Sequence, residues 1–194
     1  SAGTKSSNPR PPHPVQKTGK YICQSDNGSL YISWMDRYLA GNIPQDCHPK
    51  VRALTDYWLS IHPRHGLPGR QHFDPSHIPS LLANLYLVDA AGTDGVFTFR
   101  LMGTALVELF GRDYTGRPFE TAYDSGRNSY SYRDMVEILA DRQPRWRKAP
   151  AYFTQNRDHL ILERVVLPLA RDGRTVDIFL GMIIAALQGG DPVA

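Results

Sequence analysis

Five short β-patterned runs, with helical periodicity between the second and the third, predict an α+β domain for this 194-residue chain. Two of the observations behind that reading are Asp-Gly pairs. Asp94-Gly95 joins the apolar runs 85–91 and 96–102, and Asp172-Gly173 joins 160–170 to 175–187. Such a pair between apolar runs marks a hairpin, because a two-residue primed turn needs positive φ at both loop positions. The third observation is a change of period after Gly103, where Ala105, Leu106, Leu109 and Phe110 fall at helical spacing.

Taken in order, residues 1–20 are rich in Pro, Ser and Lys and offer little to bury, which predicts a disordered tail. Residues 21–82 form an N-terminal helical extension in this reading, with a short helix at 33–40 carrying Trp34, Tyr38 and Leu39. A better helix covers 50–61, where Val51, Leu54, Trp58 and Ile61 make one stripe and Pro49 takes a favourable first position. Pro63 ends it, and Asp74-Pro75 caps a short helix near 76–82.

The first hairpin opens the main domain, 83–188. With Asp94 and Gly95 as the loop, Asp89 faces Arg100 and can pair with it, Ala90 faces Phe99, and Phe97, Phe99 and Leu101 share the core face. Thr104 is placed to cap the short helix and Gly111 to stop it. Ser125 caps a longer helix to about residue 142, with Tyr132, Met135, Val136 and Leu139 inward. Strands at 145–154, 160–170 and 175–187 follow. The second hairpin sets Leu169 against Val176, Leu167 against Ile178 and Val165 against Leu180. Pro168 lacks a donor and belongs where no neighbour needs one. Residues 189–194 are a tail.

Composition is that of a globular domain, 41% hydrophobic and 21% charged with a net charge of +3, too small to imply a polyanionic partner. No run approaches the roughly 18 apolar residues of a membrane span, so no membrane association is expected. Cys23 and Cys47 make neither a metal pattern nor a disulfide scaffold, which points to a reducing, cytoplasmic setting.

Several residue groups invite a chemical reading. His48, His62, His65, His72 and His77 crowd thirty residues, yet no Cys or acid stands at ligand spacing, and solvated loop histidines are the simpler account. Cys47-His48 lacks a third orienting group, and no nucleophile elbow or glycine-rich phosphate loop is present. Glu108 and Asp113 could be an acid–base pair or a solvated helix face. The run Arg142-Gln-Pro-Arg-Trp-Arg-Lys148 has the composition of a phosphate-contacting patch, but an edge strand guarded by positive charge is the preferred account because the chain lacks a strongly basic balance, and no nucleic-acid partner is expected. No catalytic residue and no metal site are assigned.

The stretches Phe99-Arg-Leu-Met-Gly-Thr104, Phe110-Gly-Arg-Asp-Tyr-Thr-Gly-Arg-Pro118 and Leu167-Pro-Leu-Ala-Arg-Asp-Gly-Arg-Thr-Val-Asp177 resemble a PAS domain, closest to a bacterial PAS-like family. The resemblance covers roughly residues 51–187. It implies a five-stranded antiparallel sheet of order 2-1-5-4-3 with helices on one face, and a cavity between sheet and helices for a small ligand. It implies a non-enzymatic sensory module whose state leaves through a separate protein partner, since no output segment is legible in these residues. A pure interaction domain with a side-chain-filled cavity is the alternative, and a small enzyme using Glu108 or Asp113 a third reading. Flavin-type relatives carry a Cys in the helix after the first hairpin, and haem relatives a His in the longer helix. Residues 105–110 and 126–142 hold neither, so no cofactor is expected. The expected ligand site comprises Phe97, Phe99 and Leu101 on one wall and Met135, Val136 and Leu139 on the other, with Arg112, Tyr114, Arg117 and Tyr132 as its polar members. The stripe on 50–61 is expected to pack on the sheet or on a second subunit, giving a homodimer.

Overall fold

The computed structural model describes residues 15–17, 20–24, 30–32, 42–90, 96–151 and 160–187. The expected helix at 33–40, the Asp94-Gly95 turn, the end of the 145–154 strand and the tail 189–194 lie outside these residues. Two compact units divide the chain, 1–41 and 42–194.

In the first unit, strands β1 (Val15–Lys17), β2 (Lys20–Gln24) and β3 (Leu30–Ile32) pair antiparallel in the order β1-β2-β3. Here the sequence reading expected a tail followed by a helical extension. The correction has a plain cause: Val15, Tyr21, Ile22, Tyr31 and Ile32 are β-branched or aromatic residues that favour a pleated strand.

The second unit holds a five-stranded antiparallel sheet, β5-β4-β8-β7-β6, which is order 2-1-5-4-3 within the sheet, as expected. Its strands are β4 (Leu85–Asp89), β5 (Thr98–Met102), β6 (Arg145–Pro150), β7 (Leu160–Leu169) and β8 (Ile178–Leu187). Both hairpins form, but neither in the expected register. In the second, Leu169 faces Ile178 and Leu167 faces Leu180. The connection is two residues longer than a minimal turn, because Asp172 Oδ1 accepts from the Arg174 and Thr175 amides at 2.8 and 2.7 Å and extends the loop past Gly173. A shift of two residues leaves every side chain on its expected face. Pro168 lies two residues beyond Val166, the last β7 residue to pair with β6.

The first hairpin departs further. Leu87 faces Leu101 while Val88 faces Phe99, so Arg100 is the extra residue of a β-bulge and Asp89 sits opposite Thr98. The expected Asp89–Arg100 ion pair still forms, at 2.7 Å. The bulge switches the alternation, so Met102 is buried and Leu101, expected inward, is 46% exposed.

Helix α1 (Pro49–Ser60) is capped by His48, whose Nδ1 accepts from the Lys50 amide at 3.1 Å. It buries Val51, Leu54, Thr55, Trp58 and Leu59, while Ile61 stands past its end, half-buried. Helix α2 (Thr104–Phe110) stops at Gly111, which adopts φ 76°. Its N-cap is Gly103 rather than the expected Thr104, because a Cβ at 103 would lie 2.4 Å from the Ala83 carbonyl oxygen. Helix α3 (Tyr130–Asp141) begins later than expected, after a short 3-10 turn at 126–128, with Ser129 as its cap.

Adjacent residues of β7 show which layer lies where. The Glu163 carboxylate accepts the His48 amide at the start of α1, at 2.6 Å, whereas Arg164 reaches Asp134 on α3. Successive side chains of a strand point to opposite faces, so α1 covers one face of the sheet and α3 the other. Trp58, fully buried, donates its indole N–H to the Pro168 carbonyl at 3.0 Å. The α1 stripe is therefore buried within the chain, and it offers no apolar face to a second subunit.

Candidate functional site

The space expected to hold a ligand, under Phe97 and Phe99, is filled with aromatic rings. Phe97 packs against Tyr132 and Phe179 at centroid distances of 4.9 and 5.4 Å, and Phe99 against Phe119 at 4.9 Å. The Tyr86 ring lies across its strand partner Gly181, where an added Cβ would come within 2.0 Å of it. Met135 is fully buried in this layer, but Val136 and Leu139 are 48% and 43% exposed. Their place is taken by Ser131, Asp134 and Ile138, all buried. Helix α3 is thus turned relative to the apolar pattern, and a polar anchor is what turns it.

That anchor is Asp134, 1% exposed. Its Oδ1 accepts from Arg147 Nη2 on β6 at 2.6 Å, and its Oδ2 from Arg164 Nη2 on β7 at 2.5 Å and Arg147 Nε at 3.3 Å. Arg164 Nη1 also donates to the Ser131 hydroxyl, one turn earlier on α3. A buried charge is tolerated only when paired and hydrogen-bonded, so the helix face bearing Ser131 and Asp134 must meet the two arginines. The hydrogen bond that Arg147 donates to Asp134, with Coulomb attraction behind it, raises the Arg147 pKa and holds the guanidinium protonated.

Beside this cluster lies a cavity of about 280 Å³, between the first turn of α3 and the strands β6, β7 and β8. Its apolar lining, Ala149, Pro150, Leu162 and Ile183, comes from the sheet. Its polar lining comes from the sheet through Arg147 and Arg164, and from the α3 end through Arg133, Ser129, Ser131 and Asn128. Tyr123, Ser125 and Tyr130 complete the lining, and burial pushes the Tyr123 hydroxyl pKa upward. Tyr130 carries Arg133 and Arg147 over its ring at 5.3 and 4.8 Å. None of the expected site residues lines this cavity. Arg112 is exposed and stacks on Tyr114 at 5.1 Å, and Arg117, also exposed, contributes its backbone carbonyl to Phe99.

The other groups singled out in the sequence have structural partners. Within the basic run, Arg145 binds Glu137 and Asp141 at 3.0 and 2.6 Å, Lys148 lies 3.7 Å from Glu163, and Trp146 donates to Glu163 at 3.1 Å. The run forms β6, an edge strand, and most of its cations face in-chain carboxylates. Among the histidines, His48 caps α1, His72 Nδ1 accepts from the Gly69 amide at 2.9 Å, and His62 is held beside Trp58. No group of three His, Cys, Asp or Glu side chains placed to hold a metal occurs among the described residues. Cys47 is buried, and burial raises its thiol pKa. Glu108 and Asp113 are both exposed, and hydrogen bonds from Thr115 hold the Asp113 carboxyl below its usual range.

Sequence reasoning missed Asp134 and Arg164, and met Arg147 only as a member of the basic run 142–148. A signal existed: Ser131, Asp134, Met135 and Ile138 recur at helical spacing, and Glu163-Arg164 is a charged pair inside the otherwise apolar run 160–170.

The fold and site together define a single-sheet α+β domain with a ligand-sized space under its helices. A family model described as a PAS domain matches residues 47–184, and the chain belongs to that family. No curated protein matches the chain. Among solved structures, a fungal LOV-domain photoreceptor matches at 16% identity and a TM-score of 0.42, over 71% of this chain and 90% of its own. A variant of Vivid matches at 13% identity and the same TM-score, over 75% and 97%. No helix among the described residues is long and apolar enough to cross a membrane.

Proposed function

We propose that this PAS domain is a non-enzymatic sensory module that holds a small molecule in the cavity between α3 and β6–β8 and passes its state to a separate protein partner. The observation that carries the reading is the cavity itself, about 280 Å³ with both apolar and polar lining. Ligand sites are concave, largely apolar and supplied with a few convergent polar groups, and this space is slightly below the range for drug-sized ligands. Its polar lining belongs to α3 and the sheet together, so an occupant that shifts Arg147 or Arg164 acts on the anchor of α3. Dimerisation belongs to the same reading, on a surface other than the α1 stripe.

A second reading, an interaction domain with a filled interior, is favoured by the aromatic packing around Phe97 and Phe99. Native mass spectrometry of the purified protein, with small-molecule analysis after denaturation, separates the two. The expected result is a bound small molecule that disappears in Ala149→Phe, a variant that fills the apolar side, while circular dichroism stays unchanged. A ligand retained in that variant places the site elsewhere. A chain that carries nothing and binds nothing from a metabolite library supports the interaction domain.

A further inference from the structure

We infer that the cavity selects a small amphipathic organic anion, its carboxylate or phosphate head set against Arg147 and Arg133 and its apolar body on Ala149, Leu162 and Ile183. This rests on the reading that the cavity holds a ligand and adds the ligand's chemistry.

The charge balance of the walls carries the argument. Three guanidinium groups line the cavity, and the one carboxylate within 4.0 Å of any of them, among the described residues, is Asp134. Both of its oxygens are occupied, by Arg147 and Arg164. Three positive charges against one negative leave a surplus of two. Glu137 lies close enough to act on Arg147 at longer range, but its carboxylate is bound to Arg145 at 3.0 Å. Arg133 donates to the Asn128 carbonyl and meets no acid. Among the described residues donors are in surplus as well: Arg164 Nε is buried without an acceptor, and Arg147 binds Asp134 through Nε and Nη2, leaving Nη1 for another partner.

The surroundings favour the same sign of charge. The first turn of α3 borders the cavity, so the positive end of the helix dipole points toward it. A planar guanidinium fork is suited to carboxylate and phosphate oxygens. Beside the two strand arginines, on the same face of the sheet, lie Ala149, Leu162 and Ile183, an apolar surface that a purely polar anion leaves uncovered and a short hydrocarbon body covers.

The test uses benzoate and hexanoate against their neutral amides, benzamide and hexanamide, with inorganic phosphate as a head without a body. Binding to the intact protein is followed by calorimetry and thermal unfolding. The acids should raise the unfolding temperature, the amides and phosphate far less, and acid affinity should fall as ionic strength rises. Arg147→Gln should weaken the acids at least about tenfold. Asp134 keeps Arg164 in that variant. Arg112→Ala, outside the cavity, should bind as the wild type does. Amides that bind as tightly as acids overturn the charge inference and leave the cavity reading standing, as does acid binding indifferent to salt and to Arg147→Gln. That comparison on the wild-type protein decides the matter even where Arg147→Gln does not fold. Failure of every probe, in a protein that also carries no ligand when isolated, overturns both.

Discussion

His62 shows how much one side chain's surroundings decide its chemistry. In the sequence it is one of five histidines in a loop-rich stretch, and in the structure its ring meets Trp58 edge-on at 4.2 Å with Nδ1 2.8 Å from the Trp58 carbonyl oxygen. A carbonyl only accepts, so Nδ1 carries the proton of a neutral imidazole. Burial, with a minor contribution from nearby His72, lowers the pKa from 6.5 to about 4. The folded state therefore binds fewer protons than the unfolded chain between those two values. Stability is complete above about pH 6.5 and declines as pH falls toward 4, by roughly 2–3 kcal/mol from this group alone. Urea midpoints measured from pH 4 to 7 should climb with pH, and His62→Gln should flatten that climb. An unchanged slope in the variant would show that other groups govern it. Residue type alone does not distinguish His62 from His65; the difference is made by Trp58, one helical turn earlier, whose ring and carbonyl His62 meets.

At the scale of elements, the apolar pattern was a sound guide wherever no polar group competed for the interior. In α1, three of the four residues that the stripe named, Val51, Leu54 and Trp58, are buried, and the fourth, Ile61, stands half-buried past the helix end. In α3 two stripes overlap, one through Val136 and Leu139 and one through Ser131, Asp134 and Ile138. Hydrophobicity prefers the first. The two arginines on β6 and β7 select the second, since turning Asp134 out to water would leave the largely buried Arg164 guanidinium without its counter-charge, which costs more than exposing two aliphatic side chains. Strand β5 fails in a related way, for a bulge at Arg100 cannot be seen in a period-two pattern and it turns Leu101 outward. The turned helix makes a direct prediction. Ile138→Ala should destabilise the protein by about 2–4 kcal/mol, because it empties a fully buried site, whereas Leu139→Ala should stay within about 0.5 kcal/mol. Chemical denaturation of the pair measures this, and equal losses would return α3 to the orientation that its apolar residues suggest.

Over the whole molecule, the number and order of strands in the five-stranded sheet were legible through the two hairpins and the PAS resemblance, while β1–β3 were not, and neither was the cavity. Its position depends on which interior volumes the rings of Phe97, Phe99, Phe119 and Tyr132 fill, and residues far apart in sequence settle that jointly. The domain boundary was misplaced for a similar reason. Residues 42–82 look like an extension because they precede the first hairpin, yet the family match begins at residue 47 and α1 packs on β7 and β8. Val51, Leu54, Trp58 and Leu59 are each no more than 5% exposed. At about 1.5–3 kcal/mol for each such side chain, their burial contributes roughly 6–12 kcal/mol. A domain of this size has a net stability of about 5–15 kcal/mol, so the loss of α1 removes most or all of it. It would also strip Glu163 of the His48 amide and leave the outer face of the sheet, including Val165, Leu167 and Leu180, open to water. A chain beginning at residue 83 should accordingly lack a cooperative unfolding transition and bind a hydrophobic dye. A chain beginning at residue 42 should unfold in a single step. Cooperative unfolding of the shorter chain, at a midpoint near that of the longer, would mean that α1 is an accessory to the sheet and not one of its two covering layers.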